Sequence, residues 1–222
     1  MIQRSTLKFL SALKRHNQKA WMDLHRHEYE LAKQDFELFI QSVLEVFSKK
    51  DRSLEGLTAK SCIFRINRDI RFTKDKSPYK TNMGASLSKG GKKGIYAGYY
   101  FHLEPGHSFA GGGLYMPDPA VLAKVRQEID YNFTDFKKIL QARSFRSIYE
   151  ELDSSPEFRL SRLPKGYEPD HPAAEFLRLK SLIAFRALDD KEVTHSSLLK
   201  LTVKAFEALQ PLITFLNTAL DD

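Results

Sequence analysis

The chain has a single cysteine, Cys62, among its 222 residues. Without a second thiol there is no internal disulfide, and a cysteine-based zinc site cannot be assembled. That usage fits a reducing compartment, so the expected setting is cytoplasmic. Long apolar runs are missing as well. None approaches the ~20 residues that span a bilayer. Lys8, Lys14 and Arg15 also interrupt the N-terminal stretch before it reaches the length of a secretion signal. No membrane contact is expected. His25 and His27 stand two apart on a helical stretch and face different directions, a poor metal pair. No metal and no cofactor is expected. There is no internal repeat and no low-complexity tract, and nothing in the pattern specifies an oligomeric state.

Acidic residues are almost absent from one window. Between Lys60 and Lys93 stand ten Lys or Arg (60, 65, 68, 71, 74, 76, 80, 89, 92 and 93) against Asp69 and Asp75, while the other 188 residues hold 25 basic against 26 acidic. A surplus confined to one segment reads as a built anion site or contact patch, because charge that serves solubility is spread over the surface.

Glycine is scarce outside a second window: nine of eleven lie between Gly84 and Gly113. Two-residue alternation over 62–115 makes the middle of the chain sheet. In the clearest strand, 95–104, Ile95, Ala97, Tyr99, Phe101 and Leu103 share a core face, and Tyr96, Gly98, Tyr100, His102 and Glu104 share a polar-aromatic one. Glu104-Pro105-Gly106-His107 reads as a turn into a second strand, 108–115. If residue 104 faces 107, Tyr100 lies opposite Gly111 and Tyr99 opposite Gly112, and the triple glycine makes room for rings.

Helical spacing holds over 7–16, with Thr6 as cap, and over 22–49, where Leu24, Leu31, Phe36, Phe39, Ile40, Val43, Leu44 and Phe47 form one stripe. Trp21, before the second helix, reads as a core anchor. Helix returns after Pro117, and a last helix carrying Pro211 is capped near Ser196 or Ser197. The expectation is one α+β domain over 1–222: a central antiparallel sheet with N-terminal and C-terminal helices packed on it. Its parts are helical 1–58, sheet-rich 60–116, helical 118–152, a proline-rich surface connection 153–172, and a strand and helix over 180–220.

Within the basic window, Cys62, Phe64, Ile66, Ile70 and Phe72 alternate with Arg65, Asn67, Asp69 and Arg71, as in a half-buried strand. Arg68 breaks the phase. An unpaired guanidinium in a core is too costly, so either Arg68 meets a buried carboxylate or the chain bends at 67–69. A bend would gather Arg65, Arg68 and Arg71 and let Asp69 orient one of them. Arginine suits this role because its planar fork binds phosphate or carboxylate through two parallel hydrogen bonds. Lys76 and Lys80 add point charge, and Tyr79 a hydroxyl or stacking face. The competing reading is an ion network that glues this segment to the helices.

His102 and Glu104 share a strand face and are the available acid or base, with an ordinary polar pair as the plainer reading. The run Gly111-Gly112-Gly113 lacks the lysine and Ser or Thr of a phosphate loop, so close packing is expected there. The stretch Arg65 to Phe72, followed by Asp75-Lys76 and Tyr79-Lys80-Thr81, resembles the signature of a bacterial family of conserved hypothetical proteins, a domain of unknown function about this long. The stretch from His102 to Pro117 and the Asn17 to Trp21 segment resemble it too. Asn67 and Met22 depart from its pattern, at positions that bear on packing. The resemblance implies a single domain and brings no activity, cofactor or catalytic residue.

Three functions fit these residues. The first is binding of, or action on, a phosphate- or carboxylate-bearing small molecule through Arg65, Arg68, Arg71, Lys76, Tyr79 and Lys80, oriented by Asp69. The second is a structural or interaction domain with internally paired arginines. The third, less favoured because its lysines are few, is nucleic-acid binding.

Overall fold

A computed structural model describes residues 1–71 and 74–221. At its centre is a four-stranded antiparallel sheet in the order β1 (Met83–Ser88), β2 (Gly98–Leu103), β3 (Ser108–Leu114) and β4 (Leu182–Leu188). The fold is α+β, as the pattern predicts. The β2–β3 hairpin has the register expected from its turn, Tyr99 opposite Gly112 and Tyr100 opposite Gly111. At the turn itself, His107 N–H donates to the Glu104 carbonyl at 2.9 Å and Gly106 sits at φ 76°, which places Pro105-Gly106 as the central pair of a type II turn.

Three helices precede the sheet, α1 (Arg4–Arg15), α2 (Lys19–Leu24) and α3 (Arg26–Phe47), and a single helical turn, α4 (Ala59–Cys62), leads toward it. Between β3 and β4 run α5 (Pro119–Tyr131), α6 (Phe133–Gln141), α7 (Arg143–Tyr149) and α8 (Ala174–Leu177). After β4 come α9 (Asp190–Thr194), opened by an Asp189/Glu192 capping box, and α10 (Leu198–Asp221), which starts directly after the serines expected to cap it.

Period-two geometry sends Tyr99, Phe101 and Leu103 to one face of β2, where α3 and α10 bury them. Phe39 meets Phe101 at 4.8 Å between ring centroids, Phe47 meets Tyr99 at 4.8 Å, and Phe206 of α10 meets Tyr99 at 5.0 Å. The Tyr99 hydroxyl donates to Asp51 Oδ2 at 2.6 Å, which satisfies the polar tip of an otherwise apolar anchor. Burial, reinforced by that carboxylate, pushes the Tyr99 phenol well up. Helices thus cover one face of the sheet, and the opposite face stays largely open.

The structure departs from the sequence reading at several places. The N-cap of α1 is Gln3, and Thr6 lies inside the helix with its hydroxyl donating to Asp35 Oδ2 at 2.6 Å. Leu24 and Leu31, read into the apolar stripe, are exposed. Cys62 closes α4, and 63–71 is not a strand: it bridges the sheet only at Ile63–Ala85 and its own return only at Asn67–Tyr79. That return is held by Arg68 N–H to Pro78 O at 3.0 Å and Lys80 N–H to Ile66 O at 2.8 Å. Pro78 has no donor to extend the ladder, so alternation without a continuous partner stays a loop. Phe72, the last apolar position of that alternation, lies outside the described residues. Strand β2 begins at Gly98 because Asn217 of α10 takes both backbone groups of Ala97, at 2.8 and 3.1 Å, and this leaves Ile95 exposed. Trp21 is only half-buried and stacks on His25 at 4.0 Å, and its neighbour Met22 is the fully buried residue. Finally, a Cβ at Gly111, Gly112 or Gly113 would meet chiefly the backbone of the flanking strands, not rings. The glycine that makes room for a ring is Gly84, where a Cβ would lie 2.2 Å from the Tyr100 hydroxyl.

Candidate functional site

Strand register arranges the open face in three rows. Ser88, Gly98, Gly113 and Ile183 form the first, Ser86, Tyr100, Gly111 and Phe185 the second, and Gly84, His102, Phe109 and Ala187 the third. Over these rows lies a cleft of about 840 Å³, within the usual range for small-molecule pockets. The chain after β3 (Tyr115, Pro117, Asp118) and the start of the long connection (Asp153, Glu157, Phe158) wall its β4 side. Lys80, Lys92 and Lys93 stand on the β1 side. Met116, at the rim, is held at φ 41° with its N–H on Ser181 Oγ at 2.9 Å. Such non-glycine outliers concentrate at functional sites.

His102 is the most elaborately held group on this face. Its ring lies parallel to Phe109, 4.7 Å apart and inclined by 7°. Nε2 faces Glu104 Oε2 at 3.3 Å, and Nδ1 faces the Tyr100 hydroxyl at 3.4 Å. A carboxylate only accepts, so the arrangement assigns the proton to Nε2 and leaves Nδ1 as acceptor for the tyrosine. Glu104 is itself fixed by Thr81 Oγ1 at 3.1 Å and Lys14 Nζ at 3.6 Å. Burial lowers the pKa of His102 despite the opposing pull of Glu104, and His107 lowers it further. Burial, with Tyr115 adding to it, pushes the Tyr100 phenol up to about 12. The pair is therefore a neutral imidazole beside a neutral phenol, suited to passing a proton and unsuited to nucleophilic attack.

Of the residues singled out from the sequence, Lys80 and His102 line this cleft, and Glu104 stands behind His102. Lys80 lies over the Phe64 ring at 5.5 Å, and burial together with Arg65 lowers its pKa. The others lie outside the cleft. Arg68 pairs with Asp75, whose carboxyl is pushed down to about 2 by hydrogen bonds from Ser77 and then from Arg68. Asp69 holds Arg71 through Nε at 2.9 Å and a terminal nitrogen at 2.6 Å. Lys76 Nζ donates to the Ile70 carbonyl at 2.8 Å. Tyr79 is buried, its backbone clasped by Asn17 at 3.1 and 2.8 Å. Arg65 is exposed and forms no ion pair among the described residues.

Sequence reasoning missed Lys92 and Lys93 as cleft residues, and also Tyr96, Tyr115 and Phe185. The polar-aromatic face of β2 was a usable signal for Tyr100. Phe185 arrives from a strand some 70 residues later, and only the β3–β4 pairing brings it in. Among the described residues no group of three or more His, Cys, Asp or Glu could hold a metal ion, and no helix is long and apolar enough to cross a membrane.

A family model described as Conserved hypothetical protein (DUF2461) matches residues 5–215. No curated protein and no solved structure shows a significant match to the chain.

Proposed function

The chain belongs to the DUF2461 family of conserved hypothetical proteins, and we propose that it binds, or acts on, a small molecule bearing phosphate or carboxylate in the open-face cleft. The observation that carries this reading is convergence. Lys80, a cation partly stripped of water, shares one 840 Å³ cleft with His102 and Tyr100, whose tautomer and orientation are fixed by Glu104 and Phe109. An anion docked at Lys80 would offset the burial and the Arg65 repulsion that lower its pKa, and Arg65 beside it would add a second positive charge. His102 Nδ1 then accepts the Tyr100 proton, and the Tyr100 oxygen is the acceptor through which a proton of the bound molecule can be relayed. The Arg65–Lys80 run, read as the signature of a bacterial family, supplies the cleft with Lys80, and Phe64 just before the run stands at the cleft's edge.

The test titrates inorganic phosphate and succinate against the wild type, Lys80→Ala and Arg71→Ala, with melting temperature as readout. A ligand at a hundred times its Kd stabilises by about 2.7 kcal/mol, so the wild type and Arg71→Ala should rise by several degrees and Lys80→Ala should not. Equal shifts in all three, or none in any, would overturn the reading.

A second reading is favoured by one observation: Arg68 and Arg71 each carry a local aspartate, Asp75 and Asp69. It makes the described part of 65–80 a structural loop with Arg68 and Arg71 internally paired, and leaves the cleft unexplained.

A further inference from the structure

Resting on that reading of the cleft, we infer that its ligand is of the nucleoside monophosphate class, with phosphate at the β1 edge, a flat base on the glycine floor and the base's exocyclic amine toward the β4 edge. Three features carry this. The first is the floor. Gly98 and Gly113 are direct partners across β2 and β3, so the middle of the first row presents peptide planes and no side chain. Tyr96, two residues before Gly98, and Tyr115, two residues after Gly113, also line the cleft, and Tyr115 is 67% exposed although it packs edge-on against Phe158. Ile95 and Met116 at the rim are also exposed, at 55% and 52%. Bare peptide bordered by aromatic side chains, beside an exposed apolar rim, is a slot for a planar ring.

The second feature is polarity. The β1 edge carries Lys80 and Lys93, with Lys92 turned away to the carbonyls of Ile63 and Lys60 at 2.6 and 3.2 Å. Asp118, Asp153 and Glu157 stand on the opposite edge. A ligand across this cleft is anionic at one end and donor-bearing at the other. The third feature is length. Three strand spacings of ~4.8 Å separate β1 from β4, about 14 Å in all, so a lone phosphate cannot span the edges and a nucleotide-sized molecule can.

The experiment measures binding by calorimetry to inorganic phosphate, cytidine, cytidine monophosphate and uridine monophosphate, whose base is of similar size but has no exocyclic amine. Cytidine monophosphate should bind at least tenfold tighter than phosphate or cytidine, and several-fold tighter than uridine monophosphate. Tyr115→Ala should bring it near the phosphate value, Lys93→Ala near the cytidine value, and Asp153→Asn combined with Glu157→Gln should erase the preference over uridine monophosphate. Adenosine and guanosine monophosphates, which also carry an exocyclic amine, are measured alongside. Phosphate binding that depends on Lys80, with no amine-bearing monophosphate tighter than phosphate, would overturn this inference and leave the proposed function standing. Absence of both would end both. Binding of an octanucleotide but of no monophosphate would overturn the inference in favour of nucleic acid.

Discussion

Residues 63–80 and the open face of the sheet divide the chain's chemistry unevenly. The first holds all three of the basic window's arginines, yet its described residues are a loop closed on itself by two backbone hydrogen bonds, with Arg68 and Arg71 matched to aspartates from the same segment. The second has few charges, but strand pairing draws Tyr100, His102, Phe109 and Phe185 together from β2, β3 and β4, and Lys80 reaches in from the first. Charge density along a chain and convergence in space are different signals. Only convergence makes a cleft in which a ligand loses water and meets several groups at once.

The comparison breaks most sharply at the cleft floor. Gly113 sits at φ 124°, and a Cβ there would lie 2.0 Å from the Leu182 carbonyl. Overpacking of about 1–3 kcal/mol and a strained backbone of similar size put Gly113→Ala near 3 kcal/mol of lost stability. At about 2–4 °C per kcal/mol for a chain this long, the melting temperature should fall by about 10 °C. A variant that melts with the wild type would show that the floor is not built as described.

A smaller effect is expected in the loop. The Arg68 and Asp75 side chains are 28% and 54% exposed, and Ser77 continues to hold Asp75 through Oγ at 2.6 Å and N–H at 2.9 Å when the arginine is gone. Exposed pairs contribute little, so Arg68→Ala should move the melting temperature by no more than about 2 °C. A fall of several times that would make the loop structural glue and favour the second reading of its arginines.

These expectations also show what the sequence can carry. Helix periods, the β2 alternation and the Pro105-Gly106 turn are local patterns, and local patterns placed α3, α10 and the hairpin register within a few residues. Arg68, out of phase at the centre of its alternation, meets the carboxylate of Asp75 at the surface of the loop and not a buried partner. What failed was the inference from alternation to strand over 62–71, because a strand needs a partner and Pro78 denies it one. The cleft was legible only in part. Tyr100 and His102 on one face of β2 could be read, whereas Phe185, Tyr115 and the acidic edge depend on where β4 and the 153–158 connection return. No local pattern encodes that.

The smallest effect tests His102 itself. Burial holds its folded pKa below the ordinary value near 6.5, with Glu104 pulling it up and His107 adding to the fall, and Tyr100 and the Phe109 ring completing its surroundings. The folded protein therefore resists protonating this ring while the unfolded chain does not. In the window from about pH 6.5 down to the lower folded value, the unfolded state binds more protons, so stability declines as pH falls and recovers above about 6.5. Replacing the ring by His102→Gln removes that component and should flatten the stability curve between about pH 7 and 5, read by denaturant titration at matched ionic strength. Glu104→Gln should act the other way on the same group, since loss of the carboxylate deepens the depression of the His102 pKa. Its curve should be steeper than the wild type's over the window's lower end. Identical slopes in all three proteins would mean that His102 is not held neutral by its surroundings, and the proton acceptor assigned to the cleft would go with it.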